Sequence, residues 1–188
     1  MSGENRVRLD PTSLRGVAHP LRVRILGLLR QDGPATSTTL AERLGLSTGA
    51  TSYHLRQLAA YGFVVEETGR GVGRERWWRA AHERTLLEEE TVRQAPADAE
   101  AYMRAVAATY AETVERWLGE SQVLPEEWRP GSTLSNWRLR LTAAEAAELR
   151  TELVALAERY ERASAPEGAE SVTLQVQLMP FVRRADDG

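Results

Sequence analysis

Two short helical patterns meet at a single glycine in the stretch TLAERLGLSTGATSYHLRQLAAYG, which covers residues 39–62. Leu40 and Leu44 lie on one side of the first pattern, at the spacing of a short amphipathic helix. Gly45 follows, where a tight turn between helices needs a positive φ, and Ser47 stands where it would cap the next helix. A glycine turn between two short, apolar-backed helices is the pattern of a helix-turn-helix pair.

The second helix of this pair has two chemically different sides. Thr51, Leu55 and Leu58 fall on one side at about 100° per residue, which predicts a buried face. The other side carries small and hydroxylated residues that cost helix propensity, so they need another reason to be there. Such a helix inserts its N-terminal part into the major groove, where hydroxyls and guanidinium groups reach base edges. The predicted DNA-contacting residues are Ser47, Thr48, Gly49, Ser52, Tyr53, Arg56 and Gln57.

Elements on both sides of the pair extend this prediction. Upstream, Asp10-Pro11 and His19-Pro20 mark the starts of two helices, over about residues 11–18 and 20–31. Downstream, FVVEETGRGVGRERWWRA is typical of a β-hairpin with glycines in its turn. A cationic tip beside a DNA-reading helix forms a wing that follows the phosphate backbone, although an Arg-Gly turn is also compatible with a plain solvated hairpin. The predicted wing contacts are Arg70, Arg74 and Arg76.

The segments AHPLRVRILGLLR, TTLAERLGLSTGATSYHLRQLAAYGFVVEE and GRGVGRERWWRA resemble the winged helix-turn-helix domain of ArsR-type bacterial transcriptional regulators, across residues 9–80. The family's recognition-helix pattern matches Ser47, Thr48, Gly49, Ser52 and His54-Leu55. The resemblance implies a homodimer on a near-palindromic operator, usually a repressor that an effector releases. Many members sense metals through cysteines, and this chain has no cysteine, so the resemblance does not extend to metal-released repression.

The charge of the chain is divided unevenly along its length. Residues 1–80 hold 12 arginines against 7 acidic residues, and residues 81–188 hold 12 against 20, so net charges of +5 and −8 give the total of −3. All 24 cationic residues are arginines, the side chain best suited to bidentate contacts with phosphates and base edges. A GC-rich genome would equally explain the lack of lysine. The basic first half favours a nucleic-acid partner.

The remainder of the chain predicts a second domain over residues 81–188, for dimerisation or effector binding. The expected fold class is mainly α with α+β elements: an N-terminal winged helix-turn-helix at 9–80, followed by a helix-strand-helix-strand domain. Thr142 and Glu145 form a capping box for the second of these helices. The predicted elements of the second domain are a long helix over about 98–119, a strand over 133–141, a helix over 142–163 and a strand over 171–181.

Aromatic and aliphatic residues of the second domain form a candidate effector or dimer face. An acidic, aromatic-containing domain would enclose a small apolar or cationic effector of non-metal type. Helical spacing alone also explains most of these residues as core or as a dimer seam. The candidate face consists of Tyr102, Met103, Val106, Tyr110, Val114, Trp117 and Trp137.

Other classes of function find little support in the sequence. No nucleophile elbow, phosphate loop or dinucleotide turn is present, so we predict neither an enzyme nor a cofactor. His54 lies toward the inward side of its helix, which favours a structural, hydrogen-bonded histidine over a DNA contact, and His82 beside acidic residues favours a solvated face over a metal site. No signal peptide or membrane span is expected, which predicts a cytoplasmic protein. A winged helix that binds only protein is the alternative.

Overall fold

Side-chain caps set the starts of the first two helices. The computed structural model describes residues 6–69, 75–160 and 166–181. The carboxylate of Asp10 accepts a hydrogen bond from the amide of Ser13 at 2.7 Å, and this bond lowers the pKa of Asp10. His19 caps the next helix, because its Nδ1 accepts a hydrogen bond from the amide of Leu21 at 3.2 Å. The helices are α1 (Pro11–Val17), α2 (Pro20–Gln31), α3 (Ser37–Leu44), α4 (Thr48–Ala60), α5 (Glu89–Gln94), α6 (Pro96–Glu120) and α7 (Ala143–Glu158).

Short strands complete a winged arrangement around α3 and α4. The strands are β1 (Arg6–Arg8), β2 (Ala35–Thr36), β3 (Val64–Glu66), β4 (Trp77–Ala80) and β5 (Arg84–Leu86). Strand β4 lies between β2 and β3 and pairs antiparallel with both, while β1 pairs parallel with β5. The register places Trp78 opposite both Ala35 and Glu66. The predicted hairpin is therefore present in its strands, and its tip at residues 70–74 lies outside the described residues.

One apolar core joins the helices to the wing. Each of the helices α1 to α4 contributes a fully buried side chain to it, and so does the residue before the first wing strand. These residues are Leu14, Ile25, Leu40, Leu55 and Phe63. Burial of side chains of this size stabilises the fold by about 1.5–3 kcal/mol each. The prediction of a mainly α fold with an N-terminal winged helix-turn-helix and small sheets is confirmed.

The long helix α6 packs on the winged helix and does not belong to the second unit of the chain. Ala99 and Ala105 are buried where α6 meets α1 and α2. An ion pair of 2.8 Å between Arg24 and Glu112 links α2 to α6. The compact units are accordingly Met1–Gln122 and Val123–Gly188, so the chain divides well after the boundary predicted near residue 80.

The second unit contains α7 but lacks the strands that we predicted beside it. Helix α7 begins as expected, with the amide of Thr142 donating to Glu145 Oε2 at 2.7 Å, and this capping lowers the pKa of Glu145. Residues 133–141 and 171–181 form no strand in the structure. The prediction of strands there is corrected for a physical reason: alternation identifies a half-buried strand, but a strand exists only where a neighbouring strand accepts its hydrogen bonds.

Candidate nucleic-acid interface

The turn between α3 and α4 has the geometry that its glycine suggested. Gly45 adopts φ 64° and ψ 37°, in the left-handed region that glycine enters without steric cost. The amide of Leu46 donates to the carbonyl of Ala41 at 2.9 Å, which closes the end of α3. Ser47 then begins α4, since its Oγ accepts from the amide of Ala50 at 3.2 Å. These local bonds fix the angle at which α4 leaves the turn.

The inward side of α4 is buried as predicted. Thr51, Leu55 and Leu58 have no exposed surface. The hydroxyl of Thr51 donates to the carbonyl of Ser47 at 3.3 Å, so this buried polar group is satisfied within the helix. With these side chains packed in the core, α4 has only one orientation about its own axis.

The outward side of α4 carries the predicted DNA-contacting residues. Tyr53 is 51% exposed, and Arg56 is also exposed, with its Nε donating to the carbonyl of Ser52 at 3.2 Å. No ion pair within the described ranges involves Arg56, and α4 has no acidic residue. Ser47, Thr48 and Gly49 are exposed, while Ser52 and Gln57 are partly exposed. The outward side of α4 thus presents the guanidinium of Arg56, without an ion pair in the described part of the chain, among hydroxyl groups and the phenol of Tyr53. These are hydrogen-bonding groups that suit base edges and phosphates.

A cleft of about 310 Å³ adjoins this face. It lies where the first turn of α3, the outward side of α4 and strand β4 come together. Its lining comprises Thr36, Ser37, Thr38, Ser52, Arg56, Glu75, Arg76 and Trp78. Ser52, Arg56 and Arg76 are among the predicted DNA-contacting residues, whereas Ser37 and Thr38 are not. The only local signal for them was the N-cap at Thr36, whose Oγ1 accepts from the amide of Thr39 at 3.1 Å.

Of the three arginines predicted to contact DNA from the wing, Arg76 lies within the described residues. Arg76 is exposed, and its Nε lies 3.8 Å from Glu66 Oε1 across the hairpin. A solvent-exposed pair at this distance is weak, so the guanidinium stays available to another anion. The predicted wing residues Arg70 and Arg74 lie outside the described residues.

His54 lies on the inward side of α4, as the sequence suggested, but its environment differs from the one expected. It is 9% exposed, and its Nδ1 has no hydrogen-bond partner within the described ranges. Its ring and that of Tyr53 form a T-shaped pair with a centroid distance of 5.3 Å. Burial lowers the pKa of His54, and the nearby His19 and Arg22 lower it further. His54 therefore packs beneath the outward face, in surroundings that favour its uncharged form.

The residues of the candidate effector or dimer face differ in burial and do not all belong to one unit of the chain. Tyr102 packs against the core of the first unit, and burial raises the pKa of its hydroxyl. Met103 is exposed on another side of the helix. Trp137 belongs to the second unit. The remaining members, Val106, Tyr110, Val114 and Trp117, are partly exposed.

Neither a membrane helix nor a metal cluster occurs among the described residues. Every helix found there is too short or too polar to cross a bilayer. No three histidine, aspartate or glutamate side chains in the same ranges come close enough to hold a metal ion.

Comparison with known proteins identifies part of the chain. No curated protein matches it. Among solved structures, the chain is similar to the apo form of the C30AH42A mutant of ZitR from Lactococcus lactis, with 19% identity over 75% of this chain and 82% of that one and a TM-score of 0.31. A disulfide-containing structure of AbfR shows 20% identity over 54% of this chain and 66% of that one, with a TM-score of 0.29. Residues 17–67 match a family described as a helix-turn-helix domain, the type of domain that inserts a helix into the DNA major groove.

Proposed function

We propose that this chain is a sequence-specific, DNA-binding transcriptional regulator that acts in the cytoplasm as a homodimeric repressor. The observation that carries the proposal is the outward face of α4, which is polar, free of acidic residues and held in place by the fully buried Thr51, Leu55 and Leu58. The match of residues 17–67 to a helix-turn-helix domain supports it. The resemblance of the chain's motifs to those of ArsR-type regulators supports it as well.

In the proposed complex, α4 enters the major groove with its N-terminal half toward the base edges. Thr48 and Gly49 lie in the first turn, where free amides and the helix dipole favour a phosphate. Ser52 and Tyr53 supply hydroxyls in the next turn, and Arg56 supplies a planar pair of donors suited to guanine O6 and N7. Gln57 lies at the margin of this group of DNA-contacting residues on α4. Direct base contacts by these side chains give the preference for one sequence.

The wing and the adjoining cleft would hold the DNA backbone. Arg56 and Arg76 line the cleft with the hydroxyls of Ser37 and Thr38, donors that suit phosphate oxygens, and the two guanidinium groups outnumber the carboxylate of Glu75 in the same lining. Arg70 and Arg74 extend the cationic edge along the hairpin in sequence. Contacts of this kind position the protein and make its affinity depend on salt.

Two such reading heads would bind an inverted repeat. Half-sites one helical turn apart, about 34 Å centre to centre, fit a twofold dimer in the major groove. Release from the operator would follow binding of a small molecule of non-metal type, since the chain offers no thiolate ligand. The partly exposed residues of α6 are the candidates for contacts with that effector.

The test is selection of bound duplexes from a random pool with the full chain, followed by a salt titration on the enriched sequence. We expect an inverted repeat, and a logarithmic affinity that falls with the logarithm of salt by about 0.9 per phosphate contact. A matched titration on a scrambled duplex gives the nonspecific affinity. If no sequence is enriched and duplex binding is absent at low salt, the proposal is wrong, and a winged helix that binds only protein becomes the better hypothesis.

A further inference from the structure

The cleft between α3, α4 and β4 holds more hydrogen-bond donors than the protein itself uses. Its lining includes the hydroxyl groups of Ser37, Thr38 and Ser52. Within the described ranges, none of these three hydroxyls forms a hydrogen bond with another protein group. The guanidinium of Arg56 donates from its Nε to the carbonyl of Ser52, which leaves both of its Nη groups for another acceptor. Donors without acceptors that line one cleft form a site for a ligand rich in oxygen atoms.

The cleft has the size of a small-molecule site. Its volume of about 310 Å³ lies at the lower end of the range for such sites, about 300–1,000 Å³. Trp78 is only 8% exposed and belongs to the core, so it gives the cleft a rigid wall. Contact with the DNA backbone needs donors on an outer surface but no cavity, because the phosphates project from the duplex. The cleft therefore offers more than backbone binding requires.

The charges around the cleft favour an anion. Arg56 and Arg76 contribute two guanidinium groups to the lining, against the one carboxylate of Glu75. Arg76 lies 3.8 Å from the carboxylate of Glu66, and both side chains are exposed, so this weak pair does not hold Arg76 away from a closer anion. An anion in the cleft would form charge-assisted hydrogen bonds, which are the strong ones.

The arrangement of the donors selects phosphate over carboxylate. A carboxylate is planar, and a single guanidinium satisfies both of its oxygens. A phosphomonoester has three terminal oxygens, which accept hydrogen bonds from several directions. The donors of the cleft come from three places in the fold, namely the first turn of α3, the outward side of α4 and the residue before β4. The hydroxyls and the volume that a phosphate group leaves over suit a small polar body.

We propose that this cleft binds a small phosphomonoester of the sugar-phosphate class, and that this ligand competes with DNA. The competition follows from shared residues, since Ser52 and Arg56 line the cleft and also belong to the predicted DNA-contacting side of α4. A guanidinium that holds the ligand's phosphate cannot contact a base edge or the DNA backbone at the same time. The competition rests on the proposed function, whereas binding of the ligand does not. No residue of α6 lines the cleft, so this route to release differs from one through an effector on that helix.

The first experiment measures binding to the full chain without DNA, by isothermal titration calorimetry at constant ionic strength. The probe is ribose 5-phosphate, and its two halves, ribose and inorganic phosphate, are the matched controls. We expect ribose 5-phosphate to bind about tenfold more tightly than inorganic phosphate, because the hydroxyls of the cleft add hydrogen bonds to the sugar, and we expect ribose not to bind measurably. No saturable binding of ribose 5-phosphate, or an affinity no higher than that of inorganic phosphate, would overturn the proposal.

Substitutions then place the ligand in the cleft. Arg76→Ala should weaken binding of ribose 5-phosphate about tenfold, and Thr38→Val, which keeps the shape and removes a hydroxyl, should weaken it severalfold. Arg79→Ala is the control, because it removes the same charge from β4 at a position that does not line the cleft, and it should leave the affinity unchanged. Glu75→Gln removes the opposing carboxylate and should strengthen binding severalfold, a gain that damage to the fold cannot produce. Arg76→Ala and Glu75→Gln chains that both bind like the wild type would mean that the ligand lies elsewhere.

A competition with DNA separates this inference from the proposed function. At a concentration equal to its own dissociation constant, ribose 5-phosphate should weaken binding of the selected duplex about twofold at constant ionic strength, measured by fluorescence anisotropy, and ribose should not. If ribose 5-phosphate binds in the cleft but no DNA sequence is enriched, the proposed function fails and the ligand site stands. If a duplex is enriched while ribose 5-phosphate neither binds nor releases it, the cleft serves the DNA backbone alone, so this inference fails and the proposed function stands.

Discussion

The imidazole rings of His19 and His54 lie with their centroids 4.7 Å apart and their planes inclined by 39°. His19 caps α2 through its Nδ1, and His54 lies on the inward side of α4, so the pair connects α4 to α2. Burial lowers the pKa of both rings, and the guanidinium of Arg22 lowers it further. Protonation would also remove the cap, because a protonated Nδ1 cannot accept the hydrogen bond from Leu21.

Stability should consequently depend on pH in the range where histidine titrates. The pKa of each ring is lowered in the folded chain, so the unfolded chain binds protons more readily as the pH falls through the ordinary value of 6.5. The free energy of unfolding should be at its full value above pH 6.5 and should decrease below it. Urea unfolding at about pH 7.5, 6 and 5 measures this decrease, in a window above the usual pKa of carboxylates.

His54→Phe keeps a ring in the same place and removes one titrating group. The free energy of unfolding should therefore decrease less between pH 7.5 and 5 in this variant than in the wild type. His82→Gln is the matched control, because this histidine lies outside the pair, and it should leave the decrease unchanged. A wild-type chain whose stability is constant between pH 7.5 and 5 would show that the two rings are not held neutral by the fold.

Close packing of α1 against the end of α4 makes Gly16 sensitive to a single added methyl group. A Cβ atom at Gly16 would lie closer to Cγ of Tyr61 than real contacts allow. Gly16→Ala should therefore lower the free energy of unfolding by about 1–3 kcal/mol, measured by urea titration. Gly27→Ala is the control inside α2, where a Cβ would meet nothing within 4 Å, and it should raise stability by about 0.5–1 kcal/mol. Equal effects of the two substitutions would contradict the contact.

Local features were predicted well because their causes lie within a few residues of sequence. The caps at Asp10, Ser47 and Thr142 each need one side chain and one amide three residues later, and the left-handed turn needs only Gly45. The buried side of α4 followed from spacing along one helix. Side-chain chemistry and helical period suffice for such features.

Features that depend on distant partners could not be predicted in the same way. Helix α6 joins the first unit through Ala99 and Ala105, whose small side chains give a weak hydrophobic signal, whereas the sequence analysis assigned this helix to a separate second domain. Ser37 and Thr38 face Arg56 only because α3 packs across α4. The segments at 133–141 and 171–181 have the pattern of strands without the neighbours that would make them strands.

Substitutions of Ser47 should separate the stability of α4 from its affinity for DNA. Ser47→Ala removes the acceptor for the amide of Ala50, which should cost about 1 kcal/mol of stability. Ser47→Asp keeps an acceptor at the cap, so stability should stay within about 0.5 kcal/mol of the wild type. The added carboxylate lies at the end of α4 that would approach phosphates, so affinity for the selected duplex should fall severalfold or more. Urea unfolding and fluorescence anisotropy measure the two quantities, and an Asp variant with wild-type affinity would place this end of α4 away from DNA.

Two arginines of the interface should differ in what their loss does to specificity. Arg56 stands on the outward side of α4 without an ion pair among the described residues, so Arg56→Ala should cost about 1–3 kcal/mol of binding and relax the preference at one base position. Arg76 lies directly before the wing strand β4, so Arg76→Ala should weaken binding to all duplexes alike and reduce the salt slope by about 1. Arg104→Ala is the control, because it removes a positive charge from α6, where Arg104 pairs with Glu100. It should change neither the affinity for DNA nor the preference for one sequence.

The measurement for these arginines is a competition of single-base variants of the selected duplex against each protein. Selectivity, and not affinity alone, distinguishes the two roles, because any lost cation weakens binding to a polyanion. If Arg56→Ala lowers the affinity for the selected and the scrambled duplex by the same factor, then Arg56 contacts the backbone. Sequence preference would in that case have to come from the hydroxyls of Thr48, Ser52 and Tyr53 on the same face of α4.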